Sequence, residues 1–95
     1  MARTFPLGKI CITSAARKAM ARNGQDVAEF LTRHMRCDWG EDANDDDRRA
    51  NDLALEHGAP VLSAFRLRNG DILWVNTDGG RYSTFVWLPR EEEEE

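Results

Sequence analysis

Two histidines, two cysteines and a dense run of carboxylates are the side chains of this sequence that could do chemistry. His34-x-x-Cys37 is the nearest approach to a metal pair, and Cys11 and His57 could complete the four ligands that zinc takes. That spacing fits no zinc-finger pattern. His34 also falls on an apolar helical stripe, where a hydrogen-bonded core histidine is the simpler role. Asp42-x-Asn44-x-Asp46 repeats the opening ligands of a calcium loop. Asp47 stands where that loop needs Gly, and Leu53 where it needs a bidentate Glu, so the site is rejected. Ser63 and Ser83 could act as nucleophiles with His34 or His57 as base, but neither serine sits in a nucleophile elbow. Gly79-Gly80 lies between two strands rather than ahead of a helix, so it reads as a turn and not a phosphate cradle. The expectation is a protein that is not an enzyme and that carries no metal and no cofactor.

The carboxylates invite a different chemistry. Residues 38–56 hold eight acids (Asp38, Glu41, Asp42, Asp45, Asp46, Asp47, Asp52, Glu56) against Arg48 and Arg49, a net of −6. Carboxylates displayed along a rigid loop and helix can imitate phosphates and occupy a basic groove. Trp39 sits at the head of this run, either as an exposed anchor or as a core plug. The expected partner-contact set is therefore Trp39, Glu41, Asp42, Asp45, Asp46, Asp47 and Asp52. The competing reading is a solvated helix whose first-turn aspartates merely suit the macrodipole. Trp74 and Trp87 lie in a strand-rich stretch, and alternation along Val86-Trp87-Leu88 leaves one member of that run exposed.

The elements that would position these groups are legible in outline. Leu7 to Thr13 alternates as a strand, with Ile10 and Ile12 on one side. Thr13 or Ser14 caps a helix over Ala15–Arg22, which stops at Asn23-Gly24. Asp26 caps a second helix, whose Val27, Phe30, Leu31, His34 and Met35 form an apolar stripe. It should end near Cys37, ahead of the turn residues Asp38-Trp39-Gly40. A third helix is expected over Arg48–His57, closed by Gly58 and Pro60. Three strands follow: 61–67, 71–77 and 81–88. Asn69-Gly70 suggests a type I′ hairpin between the first two, and Asp78-Gly79-Gly80 a turn between the last two. The fold class is α+β, β-α-α-α-β-β-β, with an antiparallel sheet of three to four strands packed on helices.

At 95 residues the chain suits one domain, expected over 1–90, with Glu91–Glu95 as a disordered acidic tail. Hydrophobic residues make up 41% and charged residues 32%, the balance of an ordinary globular protein. No run approaches a membrane span, and no signal-peptide core opens the chain, so a cytoplasmic location and no membrane partner are expected. The net charge of −4 hides an asymmetry. Residues 1–37 carry seven basic and two acidic residues, whereas 38–95 carry six basic and fifteen acidic ones. Opposite fields on one small body favour charged partners or self-association, and a homodimer is left open.

The order of elements resembles the ribosome-dependent ribonuclease toxins of toxin–antitoxin modules. Such proteins engage RNA through a strongly basic surface, whereas this chain is acidic and has no histidine in its last strands. A closer resemblance runs from Leu7 to about Glu91. It rests on Leu7-Gly8-Lys9 with Ile12-Thr13, on Phe30-Leu31-x-Arg33-His34 with Asp38-Trp39-Gly40, and on Asn51. It continues through Leu62-Ser63-Ala64-Phe65-Arg66-Leu67 with Asn69-Gly70, and through Trp74 to Leu88-Pro89. In these the chain is similar to a family of small bacterial proteins carried by plasmids, phages and other mobile elements. It departs from that pattern at Cys37, where Gly is usual, at 76–81, where Thr-Glu-Ala-Asp-Arg is usual, and in its polyglutamate end. The resemblance implies a mobile-element context and no mechanism. The expectation is a non-enzymatic inhibitor of host defence, of anti-CRISPR or antirestriction type, that blocks a basic surface of a host protein complex without touching nucleic acid itself. The alternative is a toxin–antitoxin or regulatory module of the element.

Overall fold

The computed structural model describes residues 4–89, so the tail expected over 91–95 lies outside the described residues. The elements run β1 (Lys9–Ile12), α1 (Ser14–Arg22), α2 (Val27–Met35), α3 (Asp45–His57), β2 (Val61–Arg66), β3 (Ile72–Thr77) and β4 (Ser83–Trp87), an α+β arrangement. The sheet order is β1-β4-β3-β2. β2, β3 and β4 form the expected antiparallel meander, while β1 joins β4 in parallel, so the sheet is mixed. Tight turns force neighbours to run antiparallel. β1 is separated from the meander by three helices and has no such constraint.

Each helix is framed by its sequence. Thr13 caps α1 and Asp26 caps α2, each side chain accepting a first-turn N–H. α3 starts at Asp45, three residues before the expected Arg48. The cause is a capping box: Asn44 Oδ1 accepts the Asp47 N–H at 2.8 Å, and Asp47 Oδ2 accepts the Asn44 N–H at 3.2 Å. The aspartates are thus inside the helix and face its positive end.

All three helices stop in left-handed residues. Gly24 (φ 64°) follows α1 and Gly58 (φ 68°) ends α3, whereas the same position after α2 is Cys37 (φ 66°). There the Asp38 N–H reaches the Arg33 carbonyl at 2.9 Å and the Cys37 N–H reaches the His34 carbonyl at 3.0 Å, the paired bonds of a Schellman motif. Glycine is the residue this backbone prefers.

The two strand turns differ from the expectation. At Asn69-Gly70, Gly70 (φ 96°) takes the left-handed conformation and Asn69 does not. The Gly70 N–H bonds the Leu67 carbonyl at 2.9 Å and the Leu67 N–H bonds the Asp71 carbonyl at 2.8 Å. This is a three-residue loop with a bulge rather than a type I′ turn. Tertiary contact explains the choice, since the Asn69 N–H donates to Asn23 Oδ1 at 2.8 Å. In the second turn the left-handed residue is Arg81 (φ 62°) rather than Gly79 or Gly80.

The core lies on one face of the sheet. Ala16, Ala19, Met20 and Phe30 from α1 and α2 pack on Phe65, Leu67, Leu73, Val75, Val86 and Leu88. A second cluster joins Phe5, Trp39, Ala43, Ala54 and Val61 beside α3. The β2 edge is closed: the Leu62 N–H and carbonyl pair with the Asn51 side chain, the Ala64 N–H with the Trp39 carbonyl, and the Arg66 N–H with Glu41 Oε2.

Candidate functional site

The residues with catalytic potential meet inside the core. His34, on the stripe of α2, is 0% exposed and lies between Ser63 of β2 and Thr77 of β3. Ser63 Oγ is 2.6 Å from Nδ1, and Thr77 Oγ1 is 2.9 Å from Nε2. Thr77 Oγ1 is 2.7 Å from Thr84 Oγ1, which in turn donates to the Leu7 carbonyl at 2.7 Å. Proton counting fixes the directions. A carbonyl only accepts, so the Thr84 hydroxyl proton goes to Leu7. Thr77 then donates to Thr84, His34 Nε2–H donates to Thr77, and Ser63 donates to the bare Nδ1. Every hydroxyl in the chain is satisfied by a neutral histidine. Burial, seconded by the charge of Arg81, holds the His34 pKa down at about 4. Ser63 and His34 have the contact of a nucleophile and its base, but both are 0% exposed and a substrate has no route to them. Phe5 and Trp39 meet the imidazole edge-to-face at 5.1 and 5.9 Å. Cys37 is not drawn into a ligand set with His34, and among the described residues no group of three or more metal-ligating side chains assembles.

The expected contact set is dispersed. Trp39 is a core plug: it is 4% exposed, and its Nε1–H donates to Asp52 Oδ1 at 3.2 Å. It therefore leaves the list of exposed anchors. Glu41 pairs with Arg33 at 2.8 Å, and Asp42 pairs with Arg66. Asp38, on the same guanidinium as Glu41, lies 2.6 Å from Arg33 Nε. Burial pulls the Asp38 and Glu41 carboxyls up. Hydrogen bonds from Arg33 to both, from the Gly40 N–H to Asp38 and from the Arg66 N–H to Glu41 outweigh it and leave both below the ordinary range. Asp47 is occupied by the capping box. Of the expected acids, Asp45 and Asp46 stand exposed with no ion pair among the described residues. The protein's own arginines thus shrink the phosphate-like array to the first turn of α3.

The sheet offers a second surface. Register places Cys11, Phe85, Asn76 and Leu62 in one row of its outer face, Trp87, Trp74 and Ala64 in the next, and Ile72 with Arg66 in a third. The core clusters draw on the opposite residues of these strands. Phe85, on an inner strand of the sheet, is 48% exposed. Trp74 and Trp87 are half-buried and meet edge-to-face at 5.5 Å. The Trp87 Nε1–H is shielded from solvent and has no acceptor among the described residues. Shallow depressions flank this pair, and Asp42 and Asp71 line one of them. Sequence reasoning saw strands with two faces. It did not single out this one, although the alternation of Ile72, Trp74 and Asn76 with Leu73, Val75 and Thr77 carried the signal.

No helix is long and apolar enough to cross a membrane among the described residues. No family model, curated protein or solved structure matches the chain.

Proposed function

We propose that the protein acts by stoichiometric binding to another protein, and that it serves a mobile element by covering a basic, nucleic-acid-binding surface of a host complex, as an anti-CRISPR or antirestriction inhibitor would. One observation carries the binding role: the outer sheet face presents exposed Phe85 beside half-buried Trp74 and Trp87, with no helix among the described residues laid over them. Aromatics at the centre of a sheet face add to a fold when covered, and uncovered they are the residue type that dominates interfaces. The acidic first turn of α3, with Asp45 and Asp46, supports a basic partner, and the mobile-element setting follows from the sequence resemblance.

The test is capture of partners from a bacterial host by the full chain, set beside Phe85→Glu and the double variant Asp45→Asn/Asp46→Asn. Phe85→Glu is expected to lose the partner. The double variant is expected to weaken binding and flatten its dependence on salt. A partner retained equally by Phe85→Glu overturns the docking face. RNA cleavage or tight nucleic-acid binding by the purified protein overturns the inhibitor reading in favour of a toxin.

A further inference from the structure

We infer that the free edge of β1 pairs with the same edge of a second copy, joining two sheets across a two-fold axis at Cys11. The two edges of the sheet differ. The β2 edge is closed by Asn51, Trp39 and Glu41. The parallel register turns the backbone of Lys9, Cys11 and Thr13 towards β4: the Lys9 N–H reaches the Tyr82 carbonyl at 2.9 Å and the Thr13 N–H the Val86 carbonyl at 3.0 Å. Ile10 and Ile12 therefore point their N–H and carbonyl groups away from the sheet. No hydrogen bond among the described residues takes these groups, and the Ile10 side chain beside them is 37% exposed.

The strand is short, and its ends select both occupant and register. Gly8 (φ 67°) leaves the extended region before it, and Ser14 opens α1 after it. A two-fold axis perpendicular to the sheet sets two copies of β1 antiparallel. Centred on Cys11, it places Ile10 opposite Ile12 of the second copy, and each such pair exchanges both of its backbone hydrogen bonds. Centred on Ile10, it would spend Ile12 on the left-handed Gly8. Centred on Ile12, it would spend Ile10 on the helical Ser14. Each of those registers keeps half of the bonds. The Cys11 register also covers the exposed part of Ile10 with an isoleucine, and it sets Lys9 opposite Thr13 rather than another cation. The lysine that blunts this edge towards other strands is thus no obstacle to a second copy.

Cys11 gives the register a chemical signature. On the axis it meets its copy in a non-hydrogen-bonded pair, with Cα atoms about 4.5 Å apart, within the span of a disulfide. The outer faces of both copies lie on the same side of the joined sheet. Under the docking role proposed above, the dimer offers two aromatic patches there. The pairing itself uses the strand edge and none of those aromatics, so either claim can fail alone.

Sedimentation equilibrium of the full chain in reducing buffer, from low to high micromolar concentration, is the test. The mass is expected to rise towards twice the 10.8 kDa of one chain. Ile10→Pro removes an N–H that the β1–β4 ladder does not use. It should weaken the dimer about thirty-fold, the worth of two backbone hydrogen bonds, with an unchanged circular dichroism spectrum. In Cys37→Gly, where Cys11 is the one remaining cysteine, diamide should take the two thiol hydrogens with their electrons and leave a Cys11–Cys11 disulfide between copies. That trapping keeps the native strand and decides the matter if Ile10→Pro does not fold. A chain that stays monomeric, a folded Ile10→Pro that dimerises as the wild type does, or a dimer in which Cys11 does not cross-link overturns the inference. A dimer abolished by Phe85→Glu overturns it too, because the copies then meet through their faces. A dimer that persists in Phe85→Glu while the captured partner is lost supports the strand edge and the docking face as separate sites.

Discussion

Side chains from the same three strands, β2, β3 and β4, enter two different environments. On the inner face Ser63, Thr77 and Thr84 are polar, fully buried and each hydrogen-bonded through His34 or its relay. On the outer face Phe85, Trp74 and Trp87 are apolar, and no helix among the described residues lies over them. Polarity runs opposite to burial at these positions. The inner hydroxyls cost desolvation, and only a complete network offsets it, so they tie β2, β3, β4 and α2 into one register. The outer aromatics carry no comparable duty to the fold. Such an apolar surface is what the proposed docking role would use.

The sharpest way to break this contrast is to remove the hub of the network. His34→Leu leaves Ser63 and Thr77 with unmet groups in the core and should cost about 3 kcal/mol in urea unfolding, whereas Phe85→Ser should stay within about 0.5 kcal/mol. Equal effects would erase the distinction between the faces. Acid probes the same hub. The folded pKa of His34 lies near 4, below its ordinary 6.5, so the unfolded chain binds the proton first. Stability should therefore fall as pH drops from 6.5 towards 4, by up to about 3 kcal/mol, and His34→Gln should flatten that window. Asp38, Glu41 and Asp78, all held low, add their losses at still lower pH. For Asp78 the cause is first the Ser83 N–H and then that of Tyr82.

A smaller effect lies at the far end of the relay. Thr84→Val strands the Leu7 carbonyl and the Thr77 hydroxyl and should cost about 1–2 kcal/mol by thermal or urea unfolding. Smallest, and of opposite sign, is Cys37→Gly. It relieves a left-handed cysteine at the end of α2 and should raise the unfolding midpoint by about 0.5–1 kcal/mol. Neither change should alter partner capture, because neither reaches the outer face.

Much of the fold was legible because local chemistry and packing agreed. Thr13, Asp26 and Gly58 cap where cap residues should, and the Phe30–His34 stripe faces the core. The misses share a cause in contacts between segments distant in sequence. Asn69 turned from the type I′ conformation towards Asn23, and β1 took its direction from a partner more than 70 residues away. The site was less legible. Net charge over 38–56 gave no hint that Arg33 and Arg66 would fold back onto Asp38, Glu41 and Asp42. Nor did a tryptophan in a turn reveal that it would pack on Phe5 and bond Asp52.

Hydroxyl-radical footprinting of the wild-type chain, alone and in its captured complex, tests the docking face most directly. Partner binding should protect Phe85, Trp74 and Trp87 while leaving the modification of exposed residues on α1 and α2 unchanged. Protection confined to the helical side, with Phe85 as reactive in the complex as in the free chain, would contradict it.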